Sequence, residues 1–78
     1  MSVTVYSTPT CPYCRAAKRY LAERNIPFTD VDVSRDYAAA MEMIRKSGQQ
    51  GVPVLDINGE IIIGFDRPRI DAALAAGY

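Results

Sequence analysis

Short apolar runs alternate along the chain with segments whose apolar residues recur at helical spacing. Residues 3–6 are mostly β-branched or aromatic and predict a first strand. Residues 12–24 show helical spacing of their apolar positions, and Ile26-Pro27 ends that pattern. Residues 28–33 then alternate apolar and acidic side chains, which is typical of a strand near the edge of a sheet. The first half of the chain therefore predicts a strand, a helix and a second strand.

A second helix is predicted to follow, with Ser34 as its N-cap and Asp36 in its first turn. Its apolar residues recur at helical spacing until Ser47-Gly48 ends the pattern. The residues that share this spacing are Tyr37, Ala40, Met41 and Ile44. We expect Met41 and Met43 to contribute to packing rather than to bind a ligand.

The last third of the chain predicts a hairpin and a third helix. The β-prone runs 52–57 and 60–63 flank Asn58-Gly59, and an Asn-Gly pair between two such runs is a strong hairpin signal. Asp66 can then cap a helix that ends at Gly77. Its first turn contains Arg67 and Pro68, and its apolar face contains Ile70, Ala73 and Leu74.

These elements read β-α-β-α-β-β-α over one domain, residues 1–78. The early β-α-β unit should make a right-handed parallel crossover, and the hairpin then adds two antiparallel strands. The sequence therefore predicts an α/β fold whose four-stranded mixed sheet has an inner first strand and helices on both faces.

Composition and charge narrow the functions open to this domain. The chain has 78 residues, of which 49% are apolar and 23% charged, and its 9 basic and 9 acidic residues cancel. This ordinary globular balance, without a Lys/Arg cluster, argues against a nucleic-acid partner. No apolar run is long enough to span a membrane, and the first residues lack the pattern of a signal peptide. We therefore expect a cytoplasmic protein.

The two cysteines of the chain stand three positions apart, in Cys11-Pro12-Tyr13-Cys14, directly after the first strand. If Thr10 or Cys11 caps the first helix and Pro12 is its first residue, the second cysteine follows one turn later on the same side. That spacing can close a disulfide. In a reducing compartment such a pair between a strand and a helix is typical of a redox centre.

The position of the two sulfurs makes them chemically unequal. Free N–H groups and the positive end of the helix dipole favour a thiolate at Cys11, and Arg15 and Lys18 add positive potential. Cys14 lies inside the first turn and should keep a more ordinary thiol character. We therefore expect Cys11 to be the nucleophile and Cys14 to be the resolving thiol.

Three other interpretations of the cysteine pair remain open. A structural disulfide that closes so short a loop would contribute only about 2 kcal/mol. A zinc site needs four ligands, and with 2 cysteines and no histidine the metal would require a second chain or other ligand types. The third alternative is a pair of inert buried cysteines, which the proline at the helix start disfavours.

Several other residues fit structural roles. Asp30 and Asp32 occupy alternate positions of a strand, where carboxylates are usually solvated, and they need no catalytic interpretation. Tyr20 lies at core spacing in the first helix. Pro53 falls at the start of an apolar strand although proline cannot donate to a sheet ladder, and the pattern alone is explained by a trans proline at the first strand position.

The chain resembles the glutaredoxins, within the thioredoxin-fold superfamily, essentially from end to end. Cys11-Pro12-Tyr13-Cys14 is similar to the dithiol signature of that family, and Val52-Pro53 is similar to its Val-cisPro pair. Gly64-Phe65-Asp66 resembles the Gly-Cys-Asp stretch that opens the last helix of the family. The resemblance implies a thioredoxin-like fold of the glutaredoxin type.

The resemblance also implies roles for these residues. Cys11 and Cys14 would be the catalytic pair and form the redox-active disulfide. Pro53 would be cis beside the dithiol, and the Val52 backbone would pair with the main chain of a bound glutathione or peptide. The other residues implied to contact the substrate are Pro12, Tyr13, Gly64, Phe65 and Asp66, the last three at the γ-glutamyl end of glutathione, where a helix N-terminus offers free donors.

Three positions depart from the pattern of many glutaredoxins. Thr8 stands where many have a lysine for the glycyl carboxylate of glutathione, Gly51 where many have threonine, and Gln49 where an arginine or other polar residue helps the same carboxylate. A related branch, the small redoxins that serve ribonucleotide reductase, has a Ser-Gly-Phe-Arg-Pro stretch. Residues 63–68 resemble that stretch with an aspartate inserted. The sequence therefore lies between the two branches.

The resemblance implies a thiol-disulfide oxidoreductase that reduces protein or glutathione mixed disulfides. The alternatives are a redoxin that donates electrons to ribonucleotide reductase, and a non-catalytic thioredoxin-like module that binds a peptide or a metal. Disulfide-containing proteins would be the substrates, and glutathione, thioredoxin reductase or both would be the electron donor. We expect a monomer with no metal and no tightly bound cofactor, and with glutathione as a co-substrate.

Overall fold

The sheet of the computed structural model, which describes residues 2–76, is built around β1 (Val3–Ser7). One edge of β1 pairs in parallel with β2 (Thr29–Asp32), and the other pairs antiparallel with β3 (Val54–Ile57). The fourth strand, β4 (Glu60–Ile63), pairs antiparallel with β3 and completes the order β2-β1-β3-β4. The predicted mixed sheet with an inner first strand is confirmed.

Three helices cover the two faces of this sheet: α1 (Pro12–Glu23), α2 (Tyr37–Ser47) and α3 (Arg67–Ala76). The residues of β1 divide between two apolar clusters, because Val5 packs with α1 and α3 whereas Tyr6 packs with α2. The prediction of helices on both faces is therefore confirmed. No helix among residues 2–76 combines the length and apolar character that a membrane crossing requires.

The start of α2 differs from the prediction. Asp36 is the N-cap, and its Oδ1 accepts a hydrogen bond of 3.0 Å from the Ala39 N–H. Ser34 lies outside the helix because both its N–H and its hydroxyl bond to the Asp32 carboxylate. The assignment of Ser34 as the cap was wrong, since the aspartate that ends β2 competes for the same serine.

The buried face of α2 also differs from the prediction. Tyr37 is 80% exposed and Met41 39% exposed, whereas Met43 is only 2% exposed and packs under the sheet beside Ile44. Tyr37 and Met41, which lie one turn apart, therefore face solvent. Of the two methionines, only Met43 has the predicted packing role. The sequence contained both stripes, and the placement of α2 on the sheet selects one of them.

The hairpin between β3 and β4 turns at Asn58-Gly59, as predicted, with φ values of 53° and 92°. The strand before it starts at Val54 rather than at residue 52, because the Val52–Pro53 segment lies ahead of the ladder. The second strand likewise covers Thr29–Asp32 rather than 28–33. Gly77, the predicted end of the last helix, lies outside the described residues.

A polar network centred on Lys46 ties α2 to the sheet. The Lys46 ammonium lies 2.8 Å from Asp56 Oδ2 and 3.2 Å from Glu42 Oε1, and it donates a hydrogen bond of 2.9 Å to the Tyr6 hydroxyl. The Tyr6 hydroxyl in turn donates to Glu42. The network joins one helix to two strands, and it satisfies the polar end of a tyrosine whose ring is buried.

The Glu42 contacts predict a dependence of stability on pH. The hydrogen bond from Tyr6, followed by the contacts with Lys46, lowers the pKa of Glu42 from its ordinary value of 4.5. Its stabilising contribution is therefore complete above that value and is lost as the pH falls through the lowered pKa. The free energy of unfolding of Glu42→Gln, measured by urea titration, should decrease less between pH 7 and pH 3 than that of the unchanged protein.

Glu60→Gln is a matched control, since Glu60 forms no ion pair with another residue in the range 2–76. Its acid-dependent loss of stability should equal that of the unchanged protein. An equal loss for Glu42→Gln as well would contradict the assignment.

Candidate active site

Cys11 lies at the N-terminus of α1, just beyond the carboxyl end of β1. It is the N-cap, with extended φ and ψ values of −93° and 113°, and Pro12 is the first helical residue. The Cys11 Sγ accepts a hydrogen bond of 3.1 Å from the Cys14 N–H. Of the two caps that the sequence left open, Thr10 and Cys11, the structure selects the cysteine. The sulfur therefore replaces the usual oxygen in satisfying a free N–H of the first turn.

Cys14 is fully buried, whereas Cys11 is half-buried, and both are free thiols. Burial, followed by hydrogen bonding to Cys11, raises the pKa of the Cys14 thiol to about 11, although a backbone hydrogen bond at Thr8 and the positive charge of Lys18 act in the opposite direction. Cys14 is consequently a protonated thiol at neutral pH. The two sulfurs differ in the sense that the sequence predicted.

The Val52–Pro53 peptide bond, which is cis, lies across from the dithiol. The Cys11 Sγ is 3.9 Å from the Val52 carbonyl oxygen, and Pro53 is buried beneath. Among residues 2–76 the Val52 N–H has no hydrogen-bond acceptor. The residue whose carbonyl approaches the more accessible sulfur therefore also carries an unused backbone donor.

The segment Gly64-Phe65-Asp66 is joined to the same edge of the site. The Gly64 N–H donates a hydrogen bond of 2.8 Å to the Pro53 carbonyl, so this N–H is used within the chain rather than presented to a ligand. Gly64 has a φ of +80°, a backbone conformation that favours glycine. Asp66 faces the start of α3, where its Oδ1 accepts a bond of 3.2 Å from the Arg69 N–H.

Two aromatic side chains of the implied site have different surroundings. The Phe65 ring packs edge-on against Tyr20, with 5.6 Å between the ring centroids, and belongs to the core beneath α1 and α3. Tyr13 is 68% exposed in the first turn of α1, next to the exposed Pro12. Tyr13 is therefore free to contact a substrate, whereas the Phe65 side chain supports the fold.

The sequence interpretation missed a polar cluster below the dithiol. Asp30 Oδ2 lies 2.9 Å from the Lys18 ammonium, and Asp30 Oδ1 accepts a hydrogen bond of 2.7 Å from the buried Ser7 hydroxyl. Asp30 is thus paired and not merely solvated, because the parallel pairing of β1 with β2 places it opposite Val5, within reach of the Ser7 side chain. The sequence feature that could have indicated this cluster is the position of Lys18, one helical turn beyond Cys14.

Gln49, which the resemblance assigns to a ligand carboxylate, bonds instead to its own loop. Its Oε1 accepts a hydrogen bond of 2.6 Å from the Gly51 N–H, and its Nε2 donates one of 3.0 Å to the Gly51 carbonyl. The position of Thr8 offers a hydroxyl and no positive charge. Residues 2–76 contain no group of three or more side chains placed to hold a metal ion.

The family model described as Glutaredoxin matches residues 3–62. The chain belongs to the glutaredoxin family. It therefore belongs with the glutaredoxin-like redoxins of thioredoxin fold, whose general function is thiol redox chemistry.

Two curated members of the family show how closely the sequence matches. An "uncharacterized glutaredoxin-like 8.6 kDa protein in rubredoxin operon" of Clostridium pasteurianum is 49% identical, over 88% of this chain and 92% of the relative. Glutaredoxin 3 of Escherichia coli (strain K12) is 35% identical, over 83% of this chain and 78% of the relative.

A solved structure of a glutaredoxin-like protein shares the fold of this chain. The glutaredoxin-like protein NrdH-redoxin from Escherichia coli, which has a thioredoxin-like activity profile, superposes with a TM-score of 0.82. Its sequence identity to this chain is 29%, and the match covers 92% of this chain and 93% of NrdH-redoxin. The thioredoxin-like fold predicted from the sequence is thereby confirmed.

The difference between the two sulfurs predicts their order of alkylation. With a pKa of about 11, Cys14 has a thiolate fraction of about 10⁻⁴ at pH 7, and its burial also restricts access. Iodoacetamide should therefore modify Cys11 at least about tenfold faster than Cys14 in the reduced protein. Tandem mass spectrometry of the first tryptic peptide locates the label. Faster labelling of Cys14 would contradict the assignment, and Cys14→Ser, which should keep the fast phase, is the control.

Proposed function

We propose that this glutaredoxin-family chain is a thiol-disulfide oxidoreductase that reduces protein or glutathione mixed disulfides through Cys11 and Cys14. One observation carries the proposal: a half-buried sulfur at a helix N-cap lies 3.9 Å from the Val52 carbonyl and is backed by a buried second thiol. It would act in the cytoplasm as a monomer, without a tightly bound cofactor.

In the first step the Cys11 thiolate attacks one sulfur of a substrate disulfide. The substrate S–S bond breaks, a bond forms between the Cys11 sulfur and the attacked sulfur, and the second substrate sulfur leaves as a thiolate that takes up a proton from water. The Cys14 N–H and the free end of α1 stabilise negative charge on the Cys11 sulfur before the attack.

In the second step Cys14 loses its proton and attacks the Cys11 sulfur of the mixed disulfide. The Cys11–Cys14 disulfide forms, and the substrate leaves as a second thiol, so that two electrons have passed to the substrate. Hydrogen bonding and charge at Cys11 both raise the pKa of Cys14, and both end when the Cys11 sulfur is bonded to the substrate. Burial, the main cause of the raised pKa, persists, but the positive charge of Lys18 then acts without these two opposing contributions, so the pKa of the resolving thiol falls after the first step.

The groove around the dithiol would hold the substrate mainly through its main chain. The unused Val52 N–H is a donor for an extended peptide or for glutathione, with Pro53 setting its position. Pro12 and Tyr13 would contact the substrate from the exposed first turn of α1. On the third side, Phe65 and Asp66 would offer backbone donors, and Gly64 would position them through its bond to Pro53.

The electron donor would be glutathione, a flavoenzyme of the thioredoxin-reductase type, or both. Two molecules of glutathione, or one dithiol of the flavoenzyme, would supply the two electrons that reduce the Cys11–Cys14 disulfide. Thr8 and the self-bonded Gln49 provide no cation for the glycyl carboxylate of glutathione. Similarity to a redoxin with a thioredoxin-like activity profile supports the flavoenzyme, and it also keeps electron donation to ribonucleotide reductase as the second candidate function.

Single-cysteine variants test the assigned roles. Cys11→Ser should lose reduction of insulin disulfides, because the attacking sulfur is gone. Cys14→Ser should accumulate a mixed disulfide on Cys11, because the bond can form but cannot be resolved within the chain. Intact-mass spectrometry with and without a reductant distinguishes the two. Retention of insulin reduction by Cys11→Ser would refute the mechanism, and no turnover by the unchanged protein would favour the non-catalytic binding module.

Thr8→Lys tests the choice of electron donor. A lysine at this position would exchange a neutral contact for a charge-assisted one, a difference that corresponds to about tenfold in affinity for glutathione. The KM for glutathione should fall by about this factor, while the rate with thioredoxin reductase and NADPH stays the same. The control is Thr29→Lys, which adds the same charge on the strand edge where Thr29 pairs with the start of β1. The missing cation should make glutathione a weaker electron donor for this protein. Efficient turnover of the unchanged protein with glutathione and none with thioredoxin reductase would contradict this expectation.

A further inference from the structure

The loop between α2 and β3 is braced by one side-chain amide. Two of the hydrogen bonds of the Gln49 amide engage the N–H and the carbonyl of Gly51, at 2.6 Å and 3.0 Å. We call this pair of bonds the Gln49–Gly51 clasp. The Gln49 amide thereby pairs with Gly51 much as a neighbouring strand would.

The end of α2 supports the clasp from below. The Ser47 hydroxyl lies 2.7 Å from the Met43 carbonyl and 2.9 Å from the Gln49 carbonyl. Gly48 ends the helix in the left-handed region, with a φ of 75°, and its N–H donates to the Ile44 carbonyl at 2.8 Å. The residue that carries the amide is therefore fixed to a helix, and the clasp transmits that position to Gly51.

The clasp requires a glycine at position 51 because it leaves no room for a side chain, whereas the backbone conformation does not require one. Its φ lies outside the left-handed region, so an L-residue could adopt the same backbone. A Cβ at this position would lie 2.8 Å from Gln49 Oε1, which is closer than real contacts allow. Any side chain at position 51 must therefore displace the Gln49 amide, and the clasp and a larger residue exclude each other.

The clasp directly precedes the residue that faces the dithiol. The Val52 carbonyl lies 3.9 Å from Cys11 Sγ, and on its other side the Pro53 carbonyl accepts from Gly64 at 2.8 Å. The main chain is thus held immediately before and immediately after Val52. Between these two restraints, the Val52 N–H has no acceptor within residues 2–76.

We propose that the Gln49–Gly51 clasp is a positioning device that holds the Val52 backbone for an extended polypeptide disulfide. The inference rests on the proposed function and names its substrate class. Because the Gln49 amide is hydrogen-bonded to Gly51, it is not a ligand for a substrate carboxylate. A polypeptide that pairs with Val52 depends on the clasp, whereas a small disulfide that reaches only the Cys11 sulfur does not.

A cycle of two single variants and their double variant tests the clasp. Gln49→Ala removes the amide, and Gly51→Ala displaces it. Each should lower kcat/KM for insulin disulfides about tenfold, mainly through KM, because one pair of neutral hydrogen bonds no longer orders Val52. The double variant should lose no more than either single variant, because all three lack the same clasp. The turnover of 2,2′-dithiodipyridine, a small disulfide, should stay the same in every variant.

The neighbouring glutamine provides a matched control. Gln50 is exposed and its side chain makes no hydrogen bond within residues 2–76, so Gln50→Ala should leave both substrates unaffected. Amide hydrogen exchange gives a readout independent of activity. The Gly51 N–H should exchange at least about tenfold faster in Gln49→Ala than in Gln50→Ala, since only the first variant loses its acceptor.

The outcomes separate the clasp from the proposed function. If the unchanged protein reduces neither disulfide, the proposed function fails, and the positioning role fails with it. If the unchanged protein is active, three results would overturn the clasp alone: equal losses on the peptide and the small disulfide, additive losses in the double variant, or unaltered exchange at Gly51. A selective, non-additive loss on insulin with faster Gly51 exchange would establish it.

Discussion

The pairing of β1 on both of its edges is the constraint on which the rest of the structure depends. The parallel partner β2 and the antiparallel partner β3 hold β1 at the centre of the sheet, and its two faces supply one apolar cluster each. The carboxyl end of β1 therefore opens at the middle of one sheet edge, where Cys11 follows. Because β3 runs antiparallel, with Tyr6 opposite Val54, its start lies at that same edge. The approach of Val52 to the dithiol is a direct consequence of this register.

At this edge of the sheet, the two cysteines differ because their sulfurs are buried to different extents. Cys11 stands where a helix begins and its N–H groups are free, while Cys14 lies one turn inside with its sulfur in the core. Burial and the adjacent sulfur keep Cys14 protonated, and nearby Lys18 limits that effect. The same helix turn thus holds one half-buried sulfur at the helix start and one fully buried thiol. Two chemically identical side chains acquire different surroundings by their place in one helix.

The polar groups around the dithiol belong largely to the main chain. Lys18 is paired with Asp30, and Gln49 is bonded to Gly51, so these two side chains are already engaged. Within residues 2–76, the groove still offers the unbonded N–H groups of Val52, Phe65 and Asp66, together with the exposed Tyr13. Main-chain pairing of this kind suits an extended polypeptide, whereas neither Thr8 nor the self-bonded Gln49 supplies a cation for the glycyl carboxylate of glutathione.

The sequence by itself determined the order of the elements, the hairpin at Asn58-Gly59 and the place of Cys11 at a helix start. These features depend on local spacing and on the conformational preferences of single residues, which the chain carries wherever it folds. Similarity to the glutaredoxins, covering nearly the whole chain, added the fold and the cis bond before Pro53.

Only the tertiary structure decided which residue capped α2, which stripe of that helix was buried and which groups remained free for a ligand. Ser34 is hydrogen-bonded to Asp32 and does not cap the helix, and the Gly64 N–H is hydrogen-bonded to the Pro53 carbonyl. Ser7 reached Asp30 only because two strands pair in parallel, at a separation of 23 residues along the chain. Each of these outcomes is a competition between alternative partners, and for Ser7 and Gly64 those partners are distant in sequence. Local patterns cannot settle such a competition, because they do not contain the distances that decide which partner is nearest.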